Sequence, residues 1–352
     1  MAQENMKHLL VIRLSSMGDV AMTVPVLDCV LTQNKNVRIT VVSRPLFAAF
    51  FSHLPRCDFF AADVDTKYKG FFGLLKLSKD LSALKPDFIA DLHEVLRTNI
   101  LDFLLKLKCS VPIKKIDKGR KEKKALCANN NEKVLVPLKS TFQRYADVFV
   151  ALGFNIDLTK EYTINQPALL PKAERFLKNA EKQIPIGIAA FARYAGKTYP
   201  EYQMKGTIDE LFKIKPELHI FLFGGKSEQI ELELRKKEHP DKITIVAGQL
   251  SLEEEMGLIS RMKLMLSMDS ANMHIASMLS VPVVSLWGAT HPYLGFYGWH
   301  QDPENALYAD RKKYPNLPSS VNGKKMHPGT EMCMNSISPE QVVEKIIKIL
   351  KD

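Results

Sequence analysis

An α/β chain made of two parallel-sheet halves is what this sequence predicts, and three observations carry the expectation. Short β-rich runs alternate with helical stretches, the pattern of parallel strands joined by crossover helices. The alternation restarts halfway along, beyond a polar stretch holding two prolines. The 352 residues exceed what one core usually holds and suit two domains. With 46% of residues hydrophobic and 25% charged, neither a disordered nor a fibrous chain fits.

The first half offers HLLVIR (8–13), VRITVVSR (37–44), DFIADLH (87–93) and KVLVPL (133–138) as strands. NIDLTKEYTINQPALLPKAERF (155–176) is the expected linker, turning helical near Lys172, so a first Rossmann-like domain should occupy 1–165. A second, over 166–337, offers PIGIAAF (185–191), HIFLFG (219–224), KITIVAG (242–248), KLMLSMDS (263–270) and VPVVSLWG (281–288). Residues 338–352 close the chain as a helix. Ser338 is its N-cap, Pro339 its first residue and Gln341 the partner in a capping box, with Val342, Val343, Ile346, Ile347 and Leu350 on one apolar face. That face requires a packing partner.

Residue usage narrows the function classes. The opening stretch has an apolar run too short for a secretory leader, and nowhere do 18 apolar residues follow one another, so a cytoplasmic protein that spans no membrane is expected. Cys29, Cys57, Cys109, Cys127 and Cys333 are odd in number, scattered and without a Cys-x-x-Cys pair, which suits reduced thiols and excludes disulfide frameworks and zinc ribbons. A net charge of +10 attracts anionic partners. Much of the excess lies between Lys106 and Lys124, where nine basic residues meet only Asp117 and Glu122; a solvated loop and an anion-binding surface both fit. No nucleic-acid-binding fold or stacking motif accompanies this charge, and no nucleic-acid partner is expected.

Candidate chemistry gathers where strands run into helices, because open α/β sheets bind ligands at the carboxyl ends of their strands. VIRLSSMGDVAMTVPVL (11–27) puts Ser15, Ser16, Gly18 and Asp19 there; Asp19 fits either a first-turn carboxylate or a base. LSMDSANMHIASML (266–279) puts Asp269 and Ser270 at a turn, with backbone N–H groups from Ala271 onward suited to phosphate. His274 follows one turn in, as a packing residue or a ligand contact. LWGATHP (286–292) ends the next strand with Thr290, and FARYAGKTYPEY (191–202) offers Arg193 and Lys197, whose ammonium suits a diphosphate. Gly225-Lys226-Ser227 is not a P-loop, since the required earlier glycine is Ile220. Asp63-Val64-Asp65 and the Asp91, His93, Glu94 group lack further ligands at metal spacing, and neither a metal nor another cofactor is expected.

These segments resemble glycosyltransferase family 9, the bacterial heptosyltransferases that add heptose to the inner core of lipopolysaccharide. VIRLSSMGDVAMTVPVL is similar to that family's N-terminal signature and SMDSANMHIASMLSVPVVSLWGATHP (267–292) to its C-terminal segment. Lys197-Thr198-Tyr199-Pro200 resembles its Lys-x-Trp-Pro, and the stretch from Asp91 to Thr98, with Arg97, resembles a segment near the acceptor.

The resemblance implies a GT-B fold: two facing Rossmann-like domains, acceptor on the first, nucleotide sugar on the second, and a C-terminal helix crossing back to the first domain. It implies an inverting transfer of heptose from ADP-heptose to a lipid-anchored glycan, at the cytoplasmic face of the inner membrane and without a metal. Asp19 matches the base and Lys197 the lysine on the diphosphate. Asp269 matches the sugar contact, Ser270, Ala271 and His274 the phosphate-binding helix start, and Glu228, with Arg193 and Thr290 nearby, the donor pocket. Ser16, Gly18, Arg97, Lys114, Lys115 and Arg120 fall on the acceptor side. Such a transfer needs a base for the acceptor hydroxyl and cationic or N–H donors for the departing diphosphate, while domain closure keeps water out.

The chain departs from the family pattern at Ala271 for Gly, Tyr199 for Trp, Ala289 and His291 for Pro and Asp, and Arg193 for a small hydroxyl residue. These changes fall on the donor pocket. They leave open a transferase of another nucleotide sugar and, in a different class, a catalytically silent homologue.

Overall fold

The computed structural model describes residues 6–130, 132–160 and 166–351. It divides into two compact units, Met1–Lys118 with Thr141–Asn165, and Gly119–Ser140 with Gln166–Asp352. Residues 161–165 of the expected linker lie outside the described residues.

In the first unit β1 (Lys7–Ile12), β2 (Val37–Ser43), β3 (Cys57–Ala61), β4 (Phe88–Asp91) and β5 (Ile113–Lys115) form a parallel sheet in the order β3-β2-β1-β4-β5. Leu9, Leu10, Val11 and Ile12 of β1 are all buried, the unbroken apolar run demanded of a strand covered on both faces. Helices Gly70–Ser82 and Leu96–Lys108 pack side by side, and their Leu74, Leu77, Leu101 and Leu105 share a core with Leu10 and Ile89 of the sheet. The chain leaves β1 toward β2 and returns to β4 on β1's other side. The loops after β1 and β4 therefore diverge and open a crevice at their carboxyl ends.

The second unit repeats this plan with β6 (Ile184–Ala189), β7 (Leu218–Phe223), β8 (Ile243–Ile245), β9 (Met265–Met268), β10 (Val283–Trp287) and β11 (Ala306–Tyr308). Its parallel order, β11-β10-β9-β6-β7-β8, reverses between β6 and β9. The corresponding crevice lies at the carboxyl ends of those two strands.

Three expectations are corrected. KVLVPL is no strand: Val134 and Val136 face solvent while Leu135 and Leu138 pack with Leu126 and Leu294, so its alternation is real but no neighbouring strand pairs with it. Gly119–Ser140, expected in the first domain, belongs to the second unit, where the Lys133 ammonium donates to the carbonyls of Asn316 (2.5 Å) and Pro318 (2.6 Å). The C-terminal helix Pro339–Ile349, expected to cross back to the first domain, also belongs to the second unit. Val342, Val343 and Ile346 join a core with Leu211 of helix Glu201–Ile214 and Leu286 of β10. The Tyr199 hydroxyl and the Gln203 amide both donate to the carbonyl of Ile337, at 2.8 and 3.1 Å, fixing the chain just before the helix on that same unit.

Candidate active site

At the first crevice Arg13 follows β1 directly. Its guanidinium is pinned between the carbonyl of Leu92 beyond β4 (2.6 Å) and the carboxylate of Asp19 (2.8 Å). Burial disfavours the charge on Arg13, but the Asp19 carboxylate opposite, with Tyr145 and Asp91, outweighs this and its pKa is raised. Asp19 sits in the short helix Met17–Ala21, and its Oδ2 accepts from the backbone N–H (3.2 Å) and the hydroxyl (2.6 Å) of Ser16. The Tyr145 hydroxyl donates to the Asp19 carbonyl at 3.2 Å, tying this helix to Thr141–Ala151. The Arg13 side chain is 6% exposed and that of Asp19 30%, so the pair presents its carboxylate outward.

Around this pair lie groups fixed by β4. The Oδ1 of Asp91 accepts from the backbone N–H groups of His93 (2.7 Å) and Glu94 (3.0 Å), turning the chain at the strand end. Burial, and then the positive charges of Arg13 and Lys118, push the His93 imidazole down to about 3, so it is neutral at ordinary pH. Ser15 Oγ lies 3.4 Å from its Nε2. Asp102 is pushed up by burial and by Asp91, although Lys115 reaches it at 3.1 Å.

At the second crevice the loop after β6 brings Lys197 to Asp269, which follows β9, at 2.7 Å. The same carboxylate oxygen accepts from Thr290 Oγ1 (2.9 Å), beyond β10. Here the anion is the deeper partner, Asp269 being 4% exposed against 16% for Lys197. Helix Ala271–Met278 begins alongside with Ser270 as N-cap and no acid in its first turn, which suits its opening N–H groups to an anion. His274 is buried within that helix. Gly323 holds Lys197 in place from a third loop: at φ +79° it adopts a left-handed conformation, and a Cβ there would meet Lys197 Cγ at 2.6 Å.

The other expected site residues are more scattered. Glu228 spends an oxygen on the Gly225 N–H (2.7 Å) at the end of β7. Arg193 is exposed and stacks over Tyr194. Gly18 is buried inside the first short helix beside exposed Ser16, and Arg97 is half-buried. Lys114 and Lys115 lie on β5 in the first unit, with Lys115 held by Asp102 and by Asn99 (2.9 Å), whereas Arg120 stands in the second. Asp63 caps its own turn and Asp65 pairs with Arg44. Among the described residues no group of three or more His, Cys, Asp or Glu side chains converges as a metal site would require.

Sequence reasoning missed Arg13, Tyr145 and Gly323. Arg13 left only a faint signal, a cation directly after the apolar run Leu9–Ile12. Gly323 left none beyond its residue type.

The family profile for glycosyltransferase family 9 (heptosyltransferase) matches residues 74–326. Lipopolysaccharide heptosyltransferase 3 of Escherichia coli is 24% identical over 344 residues, covering 95% of this chain and 96% of that protein. The lipopolysaccharide core heptosyltransferase OpsX of Haemophilus influenzae is 24% identical over 81% of this chain and 80% of its own. Among solved structures, a family 9 glycosyl transferase from Veillonella parvula superposes with TM-score 0.76 at 18% identity, covering 99% of this chain and 98% of that one. The E. coli heptosyltransferase WaaC with ADP gives TM-score 0.69 at 18% identity, over 97% and 99%. The two parallel-sheet units are those of the GT-B fold. Fold, profile and relatives agree, and the chain belongs to glycosyltransferase family 9 (heptosyltransferase) and is a glycosyltransferase.

Proposed function

We propose that this glycosyltransferase moves heptose from ADP-heptose onto a lipid-anchored inner-core acceptor with inversion, at the cytoplasmic face of the inner membrane. The observation that carries the reading is the Asp19 carboxylate, presented outward at the first crevice and oriented from behind by Arg13 and from the side by Ser16. In this reading Asp19 takes the proton of an acceptor hydroxyl as its oxygen attacks the anomeric carbon and the bond from that carbon to the diphosphate breaks. Lys197 and the N–H groups opening helix Ala271–Met278 receive the charge that builds on the leaving diphosphate. Asp269, buried and bonded to both Lys197 and Thr290, orients the ammonium and stands beside the sugar. Ser16, Gly18 and Arg97 border the acceptor, and Lys114, Lys115 and Arg120 face its phosphates. Arg193, Glu228 and His274 complete the donor side, and no metal is needed for any of these steps.

Product formation by the purified protein tests this, with a truncated lipopolysaccharide core as acceptor, ADP-heptose beside UDP- and GDP-sugars as donors, and Asp19→Ala as control. Transfer from ADP-heptose that is lost in the variant is the expected outcome. Transfer from another donor moves the specificity within the class, and transfer that survives in Asp19→Ala removes Asp19 as the base.

A further inference from the structure

Helix Leu96–Lys108 is apolar on two faces. Thr98, Leu101 and Leu105 point into the core of the first unit, but Leu96 (78% exposed), Phe103 (63%) and Leu107 (70%) are in solvent. At about 100° per residue those three lie within one narrow stripe, directly opposite the buried face, with Ile100 beside them. The helix next to it, Gly70–Ser82, repeats the pattern. Leu74, Leu77 and Leu81 are buried while Phe72 is 83% exposed and stacks edge-on with exposed Phe71. Both inner faces feed the same core cluster, so both outer faces leave the same side of the sheet.

The charges on these outer faces have one sign. Lys76 and Lys79 follow Phe72 at helical spacing, and exposed Lys106 and Lys108 flank the leucine and phenylalanine stripe. The single acid of each helix is turned away from this use, Asp102 by burial and Asp80 by accepting the Tyr68 hydroxyl at 2.8 Å. Scattered surface leucines are ordinary, but two neighbouring helices that each turn exposed aromatic or aliphatic side chains outward, with cations and no acid among them, mark a docking face. An acidic protein partner would meet the lysines and leave the apolar stripe to find its own match. An anionic bilayer supplies both, headgroup charge for the lysines and an acyl boundary for the side chains between them.

We propose that the outer faces of helices Gly70–Ser82 and Leu96–Lys108 seat the first unit on an anionic lipid surface, with Phe72, Phe103 and Leu107 entering the headgroup region. The inference deepens the membrane contact of the proposed function and rests on that reading for the lipid-anchored acceptor.

The test is cosedimentation of the full chain with vesicles of phosphatidylethanolamine and phosphatidylglycerol, against phosphatidylcholine vesicles, with no donor or acceptor present. Its failure is thereby separate from a failure of transfer. The protein is expected to bind the anionic vesicles and to be released as salt rises. The Phe72→Ser, Phe103→Ser, Leu107→Ser variant should lose at least tenfold in partitioning while keeping its activity on a deacylated acceptor. Lys76→Gln with Lys79→Gln, which disturbs no apolar side chain, should bind several-fold more weakly at low salt and equally at high salt. Vesicle binding that is absent in the unaltered chain, or intact in both variants, overturns the proposal. So does a dimer in sedimentation that the serine variant dissociates, since the face would then cover a second copy.

Discussion

At the carboxyl edge of the first sheet the buried partner of the ion pair is the cation, Arg13; at the same topological place in the second sheet it is the anion, Asp269. The second pair spans the reversal, from the loop after β6 to the end of β9, whereas Arg13 and Asp19 both follow β1 and the Leu92 carbonyl ties them to β4. In each, the deep partner is anchored by a second bond, Arg13 to the Leu92 carbonyl and Asp269 to the Thr290 hydroxyl. The difference teaches that topology sets where a site opens, whereas the sign of the buried partner sets which charge the crevice presents. A presented carboxylate suits taking a proton, and a presented ammonium suits a diphosphate.

The largest effects expected are on turnover, and they can break this division of labour. Asp19→Asn keeps the shape but cannot accept a proton, and should lower kcat by about 10³-fold with little change in KM for the nucleotide sugar. Lys197→Met should lower kcat/KM by roughly 10²- to 10³-fold and weaken binding of the nucleoside diphosphate as well. Steady-state kinetics in both substrates reads the contrast. Matching losses in kcat and KM from the two variants would abolish it.

Next in size are effects on stability, where the two pairs should respond in opposite order. Removing the outer partner strands a buried charge, whereas removing the buried partner leaves a group that can turn to water. Asp19→Ala should therefore cost about 2–4 kcal/mol and Arg13→Met only about 1. In the second unit Lys197→Met should cost more than Asp269→Ala, although Thr290 still bonds the stranded carboxylate and narrows the gap. Urea midpoints of the four variants decide this, and a common order by residue sign would refute the burial argument.

How much of this was legible depends on period and position. β1, β7 and β10 were readable because apolar residues dominate them, Leu9–Ile12 and Ile220–Phe223 without a break, and the C-terminal helix because Ser338, Pro339 and Gln341 announce it. Cys57–Ala61, Ile113–Lys115 and Ala306–Tyr308 were not readable, being edge strands or next to them, three to five residues long and only partly apolar. An apolar helix face says that it must be covered but not by what, so the packing partner of Val342 and Ile346 could not be read. In the sites, Asp19, Lys197 and Asp269 stood out because strand ends are where ligands meet an α/β sheet. Arg13 was hidden because a cation after a strand also reads as an ordinary terminus, and Gly323 because its contact with Lys197 is purely tertiary.

A smaller effect follows from His93. Its pKa in the folded chain, about 3, lies below the ordinary value, so the native state binds fewer protons than the unfolded one. Stability is then intact above about pH 6.5 and is lost as pH falls below it, by roughly 2 kcal/mol at about pH 5. His93→Gln should remove that slope while leaving behaviour near neutrality almost unchanged. Urea titrations at the two pH values check it, and a slope that persists in the variant points to another group.

The smallest effect tests which unit owns the C-terminal helix. Ser338 Oγ accepts from the Gln341 N–H at 3.4 Å, while the Gln341 side chain accepts from the Ser338 N–H at 2.8 Å, closing both halves of a capping box. Ser338→Ala removes the first of these bonds and should cost about 1 kcal/mol. Because Val342, Val343 and Ile346 pack with Leu211 and Leu286, that loss should appear as faster amide exchange in β10 and in helix Glu201–Ile214. Exchange in β1 and β2 should stay as it was. Faster exchange there instead would mean that the helix stabilises the first sheet, and with it the packing that the sequence resemblance implied.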